Sequence, residues 1–286
     1  MISDKDIALL LNLSESYLYN LASRMHRLVH RRKKPKRNGG YRFITSPNNE
    51  LKNVLSLINK KVLGQFILHD FLFLQPGRNH IKMLSQFRNA KFLLTADVDN
   101  FYPSIYPVMV TKTLLNLGFD NSSAKLLTRL MTSHFELPQG FPTSPKIAAL
   151  SLNPVLLRLD GLAHKERFLI GLYADNLVIG TLYTPQRFHN LFVKIFRQSG
   201  FLLEEFKFYC DNSPKEVMGI RINSKLEVEP LYIKNVKLEI ETFKQKIIQK
   251  GSTDILKSIK GKIRYIEYVN PMQASVLKKM ITGLTS

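Results

Sequence analysis

The run Phe168-Leu169-Ile170-Gly171-Leu172-Tyr173-Ala174-Asp175-Asn176-Leu177-Val178-Ile179-Gly180 carries two apolar arms on either side of a short polar tip. Arms of this length and composition read as buried strands, and the polar pair between them as the turn of a hairpin. A second acid closes another apolar run, Phe92-Leu93-Leu94-Thr95-Ala96-Asp97-Val98, which reads as a buried strand. On a shared sheet Asp97 and Asp175 would meet at one edge, where their like charges call for a cation. Hard carboxylates hold the paired divalent ions, about 4 Å apart, of two-metal phosphoryl transfer. Isolated aspartates are more often turn or cap residues, so the surrounding text has to decide between the two roles.

Outward from these strands, residues Asp4 to Leu28 hold apolar positions at helical spacing, with Ser14 able to cap a second short helix. A helix-turn-helix DNA reader would look similar, but a packing hairpin is the commoner use of such a pair. Asn38-Gly39-Gly40 is a turn signal, Tyr41 to Thr45 alternates as a strand that Pro47 stops, and Glu50 to Phe66 reads as one long amphipathic helix. Helical spacing resumes from Val108 to Leu130, from Ser144 to Leu159 and from Pro185 to Ser199, with short strands near Gly219 and Val228. The last stretch, about 50 residues, is helical and rich in Lys and Ile, with breaks at Gly251-Ser252 and Asn270-Pro271. The fold class is α+β, a mixed sheet with helices followed by a basic helical appendage.

The chain has 286 residues, enough for a sizeable core, and 44% of them are apolar. Its 42 Lys and Arg against 22 Asp and Glu leave a formal charge of +20, which points to a polyanionic partner, nucleic acid first. No stretch approaches the roughly 18 apolar residues of a spanning helix, and no secretory signal is read at the start, so the expectation is a cytoplasmic protein without a membrane partner. The single cysteine, Cys210, rules out an internal disulfide and a thiolate metal cluster and reads as a small buried hydrophobe. The run Arg31-Arg32-Lys33-Lys34-Pro35-Lys36-Arg37 reads as nucleic-acid contact in so basic a chain.

Three segments in order settle the role of the aspartates. Asp97-Val98-Asp99-Asn100-Phe101-Tyr102-Pro103-Ser104-Ile105, Leu137-Pro138-Gln139-Gly140-Phe141-Pro142-Thr143-Ser144-Pro145 and Tyr173-Ala174-Asp175-Asn176 resemble motifs A, B and C of reverse transcriptases, nearest to the bacterial retron-type and group II intron-like enzymes. The resemblance covers roughly residues 27 to 281. Arg42-x-Ile44-x-x-Pro47 with Leu51-Lys52 is similar to the first fingers motif, Gly200-Phe201-Leu202-Leu203 with Lys207 to motif D, and Val217-Met218-Gly219 to the motif before the thumb.

The resemblance implies a right-hand polymerase: a helical and basic extension over 1–36, fingers and palm over 37–229, and a basic helical thumb over 230–286. It implies an RNA-directed DNA polymerase in which Asp97 and Asp175 bind two Mg²⁺ ions, with the Val98 carbonyl and Asn176 as further candidate ligands. Phe101 or Tyr102 would be the aromatic platform that excludes a 2′-hydroxyl. Gln139 and Gly140 would line the nucleotide and template, Lys207 the departing pyrophosphate, and Arg42 and Lys52 the triphosphate or template. Arg31 and Arg32, with Lys234, Lys237, Lys244, Lys246, Lys250, Lys257, Lys260, Lys262 and Arg264 of the thumb, are candidates for the nucleic-acid backbone.

Two departures qualify the match. Motif C normally has a second aspartate where this chain has Asn176, which predicts weaker metal binding and a preference for Mn²⁺. Retron enzymes usually carry Asn-Ala-x-x-His where this chain has Met83-Leu84-Ser85-Gln86-Phe87, which questions the standard retron RNA partner. With no integrase, endonuclease or RNase H segment after the thumb, the expectation is a stand-alone bacterial enzyme associated with phage defence rather than an intron maturase. Its partners would be an RNA template such as a dedicated non-coding RNA, deoxynucleotides, the DNA product, and a second protein or another copy of the chain. A catalytically silent RNA-binding scaffold, and template-independent or protein-primed synthesis, are the alternatives.

Overall fold

Side-chain caps set several of the helix starts. Ser3 caps α1 (Asp4–Leu11) in a capping box with Asp6, and Ser14 caps α2 (Glu15–Ser23). The computed structural model describes residues 1–36, 39–211, 213–247 and 253–282; Arg37, the turn at Asn38, Lys250 and the break at Gly251-Ser252 lie outside the described residues.

A short α3 (Met25–Leu28) leads into β1 (Val29–Pro35), which pairs antiparallel with β2 (Tyr41–Pro47). Most of the basic run is therefore a strand, and the ribbon spans residue 36, where the sequence reading divides extension from fingers. Aromatic side chains on the paired strand support the cations. The Arg31 guanidinium lies 4.3 Å from the Phe43 ring centroid and the Lys33 ammonium 3.7 Å from that of Tyr41.

α4 (Asn49–Leu57) is capped by Asn48 and is shorter than its apolar spacing predicts, because a π-helical turn at Ile58–Val62 and a 3-10 turn at Leu63–Gln65 complete the span. After α5 (His80–Ser85) and β3 (Phe92–Val98), the helical span from Val108 is two helices, α6 (Pro107–Asn116) and α7 (Asn121–Met131), the second capped by Asp120. The next span divides ahead of Pro154 into α8 (Ser144–Ser151) and α9 (Asn153–Glu166). The expected hairpin follows as β4 (Leu169–Tyr173) and β5 (Asn176–Thr181), then α10 (His189–Gln198) and β6 (Leu203–Tyr209). A small sheet of β7 (Glu216–Val217), β8 (Ile220–Ile222) and β9 (Leu226–Val228) precedes α11 (Pro230–Ile247), α12 (Thr253–Val269) and α13 (Pro271–Thr282). The class is α+β, and among the described residues no helix is long and apolar enough to cross a membrane.

The central sheet has four antiparallel strands in the order β4-β5-β3-β6. Strand alternation divides its side chains between two cores. Leu94, Ala96, Leu177 and Ile179 join one core with Leu150 and Leu156 of the α8–α9 pair and Phe192 and Phe196 of α10. Leu93 and Val178 face the other way and share a second core with Met83 of α5 and with Ile240, Ile263 and Leu277 of the last three helices. The hairpin takes α5 and the residues after it at very close range. A Cβ on Gly171 would stand 2.5 Å from Met83 Cγ, and one on Gly180 would stand 2.8 Å from Phe87 Cδ1. Met83 and Phe87 are themselves fully buried.

Candidate active site

The register that pairs β3 with β5 sets Asp97 directly opposite Asn176, one residue past the hairpin tip that carries Asp175. The tip is a two-residue turn between Tyr173 and Asn176, whose first residue, Ala174, has φ 55°. A side chain in that region costs roughly 1 kcal/mol, and such local strain gathers at functional sites. Backbone bonds hold the turn against β3: the Val98 N–H donates to the Asp175 carbonyl at 2.8 Å. The Asp99 N–H donates to Leu202 at 2.9 Å, and Leu137 donates to Ile105 at 2.9 Å. The four motif-like segments are thus tied to one another by main chain, independent of their side chains.

The electrostatics of the site are those of unneutralised carboxylates. Burial, then Asp175, then Glu205 push the Asp97 carboxyl up to about 6, while Lys207 pulls the other way. Asn176 directs its amide inward, donating to Asp175 Oδ1 at 2.9 Å. Among the described residues no group of three acids or imidazoles is arranged to hold a metal, and none of the ion pairs involves Asp97 or Asp175. The donor set still fits a hard divalent cation. Two neighbouring carboxylates, one already destabilised as an anion by the other and by Glu205, gain from positive charge placed between them.

Glu205 is a residue the sequence reading does not single out. The register of β3 against β6 shifts between Thr95 and Asp97, and within that bulge Glu205 has φ 52°. It lines a cavity of about 70 Å³ together with Asp97, Asn176, Lys207 and Met218. Only the bulge reveals it, since its place in Leu203-Glu204-Glu205-Phe206 carries no sequence signal of its own.

The two platform candidates separate by burial. Phe101 is 5% exposed, packed against Phe201 and Tyr102, whereas Tyr102 is half-buried and its hydroxyl pKa is raised by burial, Asp175 and Tyr173. Gln139 reaches the fingers through its carbonyl, which accepts the Thr45 N–H at 2.9 Å. Gly140, at φ 130°, would drive a Cβ to 2.6 Å from the Thr45 carbonyl oxygen, so the close approach it allows here is to the ribbon.

The basic candidates fall into two groups. Arg32, Arg42 and Lys52 are exposed on the ribbon and α4, and Arg264 is exposed on α12. Arg31 pairs with Glu136 at 3.0 Å, Lys262 with Glu239 at 2.5 Å and Lys257 with Asp254 at 3.6 Å. Arg31 and Lys262 are thereby drawn into holding elements together.

Residues 32–209 match the family model described as reverse transcriptase (RNA-dependent DNA polymerase). The chain is 25% identical over 279 residues to the retron Mx65 reverse transcriptase of Myxococcus xanthus, a match that takes in 86% of this chain and 62% of that protein. It is 27% identical over 139 residues to the retron Ec86 reverse transcriptase of Escherichia coli, covering 48% of this chain and 43% of the relative. The chain thus spans less than two thirds of the length of these relatives. In three dimensions it is similar to a telomerase from Candida albicans solved with a fragment of telomeric RNA, at a TM-score of 0.55 and 11% identity, over 93% of this chain and 60% of that one. That likeness concerns the fold.

Proposed function

The chain belongs to the reverse transcriptase family, and from that premise we propose that it is an RNA-directed DNA polymerase that extends a 3′-hydroxyl with deoxynucleotides. The observation that carries the reading is the register of β3 against β5, which brings Asp97 beside the turn holding Asp175. Asp97, Asp175 and the Val98 carbonyl would hold two divalent ions, which when bound supply charge stabilisation to the attacking and leaving oxygens. Tyr102, rather than the core residue Phe101, is the ring free to meet the sugar, and its bulk would exclude a 2′-hydroxyl. Gln139 and Gly140, fixed to the ribbon, line the nucleotide's place. Lys207 sets an ammonium beside the carboxylates where pyrophosphate charge would develop. Arg32, Arg42 and Lys52 offer exposed cations to template or triphosphate, and the exposed cations of the thumb grip the duplex backbone without reading its sequence.

The likeness to retron enzymes supports a bacterial, cytoplasmic setting, a dedicated non-coding RNA as template and a part in defence against phage, with a second protein or another copy of the chain as partner. Met83 and Phe87, at the positions of the first and last residues of the usual Asn-Ala-x-x-His element, are fully buried, so these two side chains do not face an RNA.

The test is primer extension on an RNA template against Mg²⁺ and Mn²⁺ concentration, for the parent and Asn176→Asp. Asn176 brings no charge to the ions, so the parent should favour Mn²⁺ and the variant should work at lower Mg²⁺. Incorporation without template would favour the template-independent alternative. A parent inactive with both metals, revived by Asn176→Asp, would make the chain a silenced scaffold.

A further inference from the structure

The second core joins the palm sheet to the last three helices mainly through apolar contact, and apolar contact is non-directional, so by itself it does not fix an angle. Directional contacts cross the joint at two places: Gln273 of α13 bonds the backbone of Val228 on the small sheet, and α5 meets α12 directly. Asn79 Oδ1 caps α5 by accepting the Lys82 N–H at 2.9 Å, and its Nδ2 donates to the Tyr268 hydroxyl of α12 at 3.0 Å. The next residue, His80, turns its ring edge to Tyr173, with centroids 5.5 Å apart at 61°. Its other side faces Tyr265 of α12, 6.1 Å away and 23° from parallel, with Nε2 3.3 Å from the Tyr265 hydroxyl. Tyr265 in turn meets Tyr232 of α11 edge to face at 5.9 Å. Burial keeps the His80 imidazole below its ordinary pKa, so it meets the tyrosines neutral.

The chain of contacts runs from Tyr173, two residues before Asp175, through α5 to two of the thumb helices. Aromatic pairs and hydrogen bonds prefer particular angles, which the surrounding apolar contact does not. We propose that Asn79 and His80 are positioning residues that fix the angle of α11 and α12 relative to the Asp97–Asp175 edge. In this way a duplex held by those helices presents its 3′ end at the carboxylates. The proposal rests on the polymerase reading for what the angle serves, though not for the existence of the link.

The substitutions that isolate the link are Tyr268→Phe, which removes one hydroxyl, Asn79→Ser, which keeps a cap but falls short of α12, and His80→Ala. Each should raise KM for primer–template and shorten the product made per binding event, both about fivefold, the worth of one net hydrogen bond. The kcat for a single addition on saturating primer–template should change less than twofold. Asn79→Asp keeps the cap and can accept the Tyr268 hydroxyl, so it should restore parental values. The double variant Asn79→Ser/Tyr268→Phe should be no worse than either single one, because both remove the same contact.

A second measurement does not depend on catalysis. Spin labels on Cys210, which is exposed just past β6 rather than buried as the sequence suggests, and on a cysteine introduced by Ser258→Cys on α12 report the distance between palm and thumb. The distance distribution should be narrow in the parent and broad in Tyr268→Phe and His80→Ala. Unchanged distributions with unchanged KM would overturn the proposal. Broadened distributions in a protein that incorporates nothing on any template would leave the link standing and reject the polymerase reading instead.

Discussion

The palm edge and the thumb handle charge in opposite ways. In a chain with only 22 acids, Asp97, Asp99, Asp175, Glu204 and Glu205 are gathered about the ends of β3 and β6, where the carboxyls of Asp97 and Glu204 are both raised by burial and by neighbouring acids. In the thumb the acids are dispersed, and Glu239 and Glu267 each bind a lysine of another helix at 2.5 Å. The palm stores repulsion that a divalent cation would relieve, while the thumb has spent part of its charge on its own assembly. A count of lysines therefore overstates the thumb as a phosphate clamp, and a count of two aspartates understates the negative field of the palm.

The contrast breaks most sharply at the carboxylates. Asp97→Ala or Asp175→Ala should lower nucleotide incorporation by at least about 10²–10³-fold while leaving RNA affinity within about twofold, read by primer extension and filter binding on the same preparations. A matching fall in affinity would mean that the acids shape the nucleic-acid surface itself.

The aromatic pair next to them should divide in the same manner. Tyr102→Val is expected to reduce the preference for deoxy- over ribonucleotides by up to about 10²-fold with little loss of stability. Phe101→Ala should leave the preference alone and cost about 3–5 kcal/mol of folding free energy as a core cavity. Competition between ribo- and deoxynucleotides, together with denaturant unfolding, separates the two, and an altered preference in Phe101→Ala would reverse the assignment.

In the thumb, Arg264→Gln and Lys260→Gln should each reduce the slope of log affinity against log salt by about 1, since both are exposed cations. Lys262→Gln should leave that slope nearly unchanged and act on stability, because its ammonium is committed to Glu239. Equal slopes for all three variants would erase the distinction between gripping and bracing residues.

The smallest effect concerns the protein without metal. Asp97 has a folded-state pKa of about 6 against an ordinary 3.8, so the fold binds its proton more tightly than the unfolded chain does. That contribution is fully present below about pH 4 and is lost as pH rises through about 6. Asp97→Asn should therefore be more stable than the parent at pH 7, by about 1 kcal/mol after allowing for solvent screening of a half-exposed group, and equal to it at pH 4. Thermal unfolding in chelator at the two pH values provides the check.

What could be read in advance follows from how locally each feature is encoded. The hairpin around Asp175 and the strand ending at Asp97 are unbroken apolar runs, and their two acids stand out against that background. β6 is obscured because its bulge interrupts the alternation, and Glu205 is hidden with it. β1 reads as a basic run for nucleic-acid contact, and its strand character shows only once Tyr41 and Phe43 are seen across the ribbon from it. The long helix from Glu50 gives way to a π turn that its unbroken apolar spacing does not signal, and α5 starts at the cap Asn79 and His80, polar residues whose partners lie almost 190 positions away. The choice between Phe101 and Tyr102 is one of burial, which adjacent aromatic residues do not reveal by themselves.

Gly171 and Gly180, with Met83 and Phe87 filling the space their missing side chains leave, make the hairpin and α5 a matched pair of parts. Anyone grafting segments between this chain and its retron relatives would have to move both together. The donor's Asn-Ala-x-x-His segment set beneath this hairpin would bring an amide and an imidazole into a pocket shaped for a thioether and a benzyl ring. This hairpin set over a donor segment would leave its glycines facing the wrong surface. Compatible chimeras should thus have crossover points before Asn79 and after Gly180, with everything between inherited as one block.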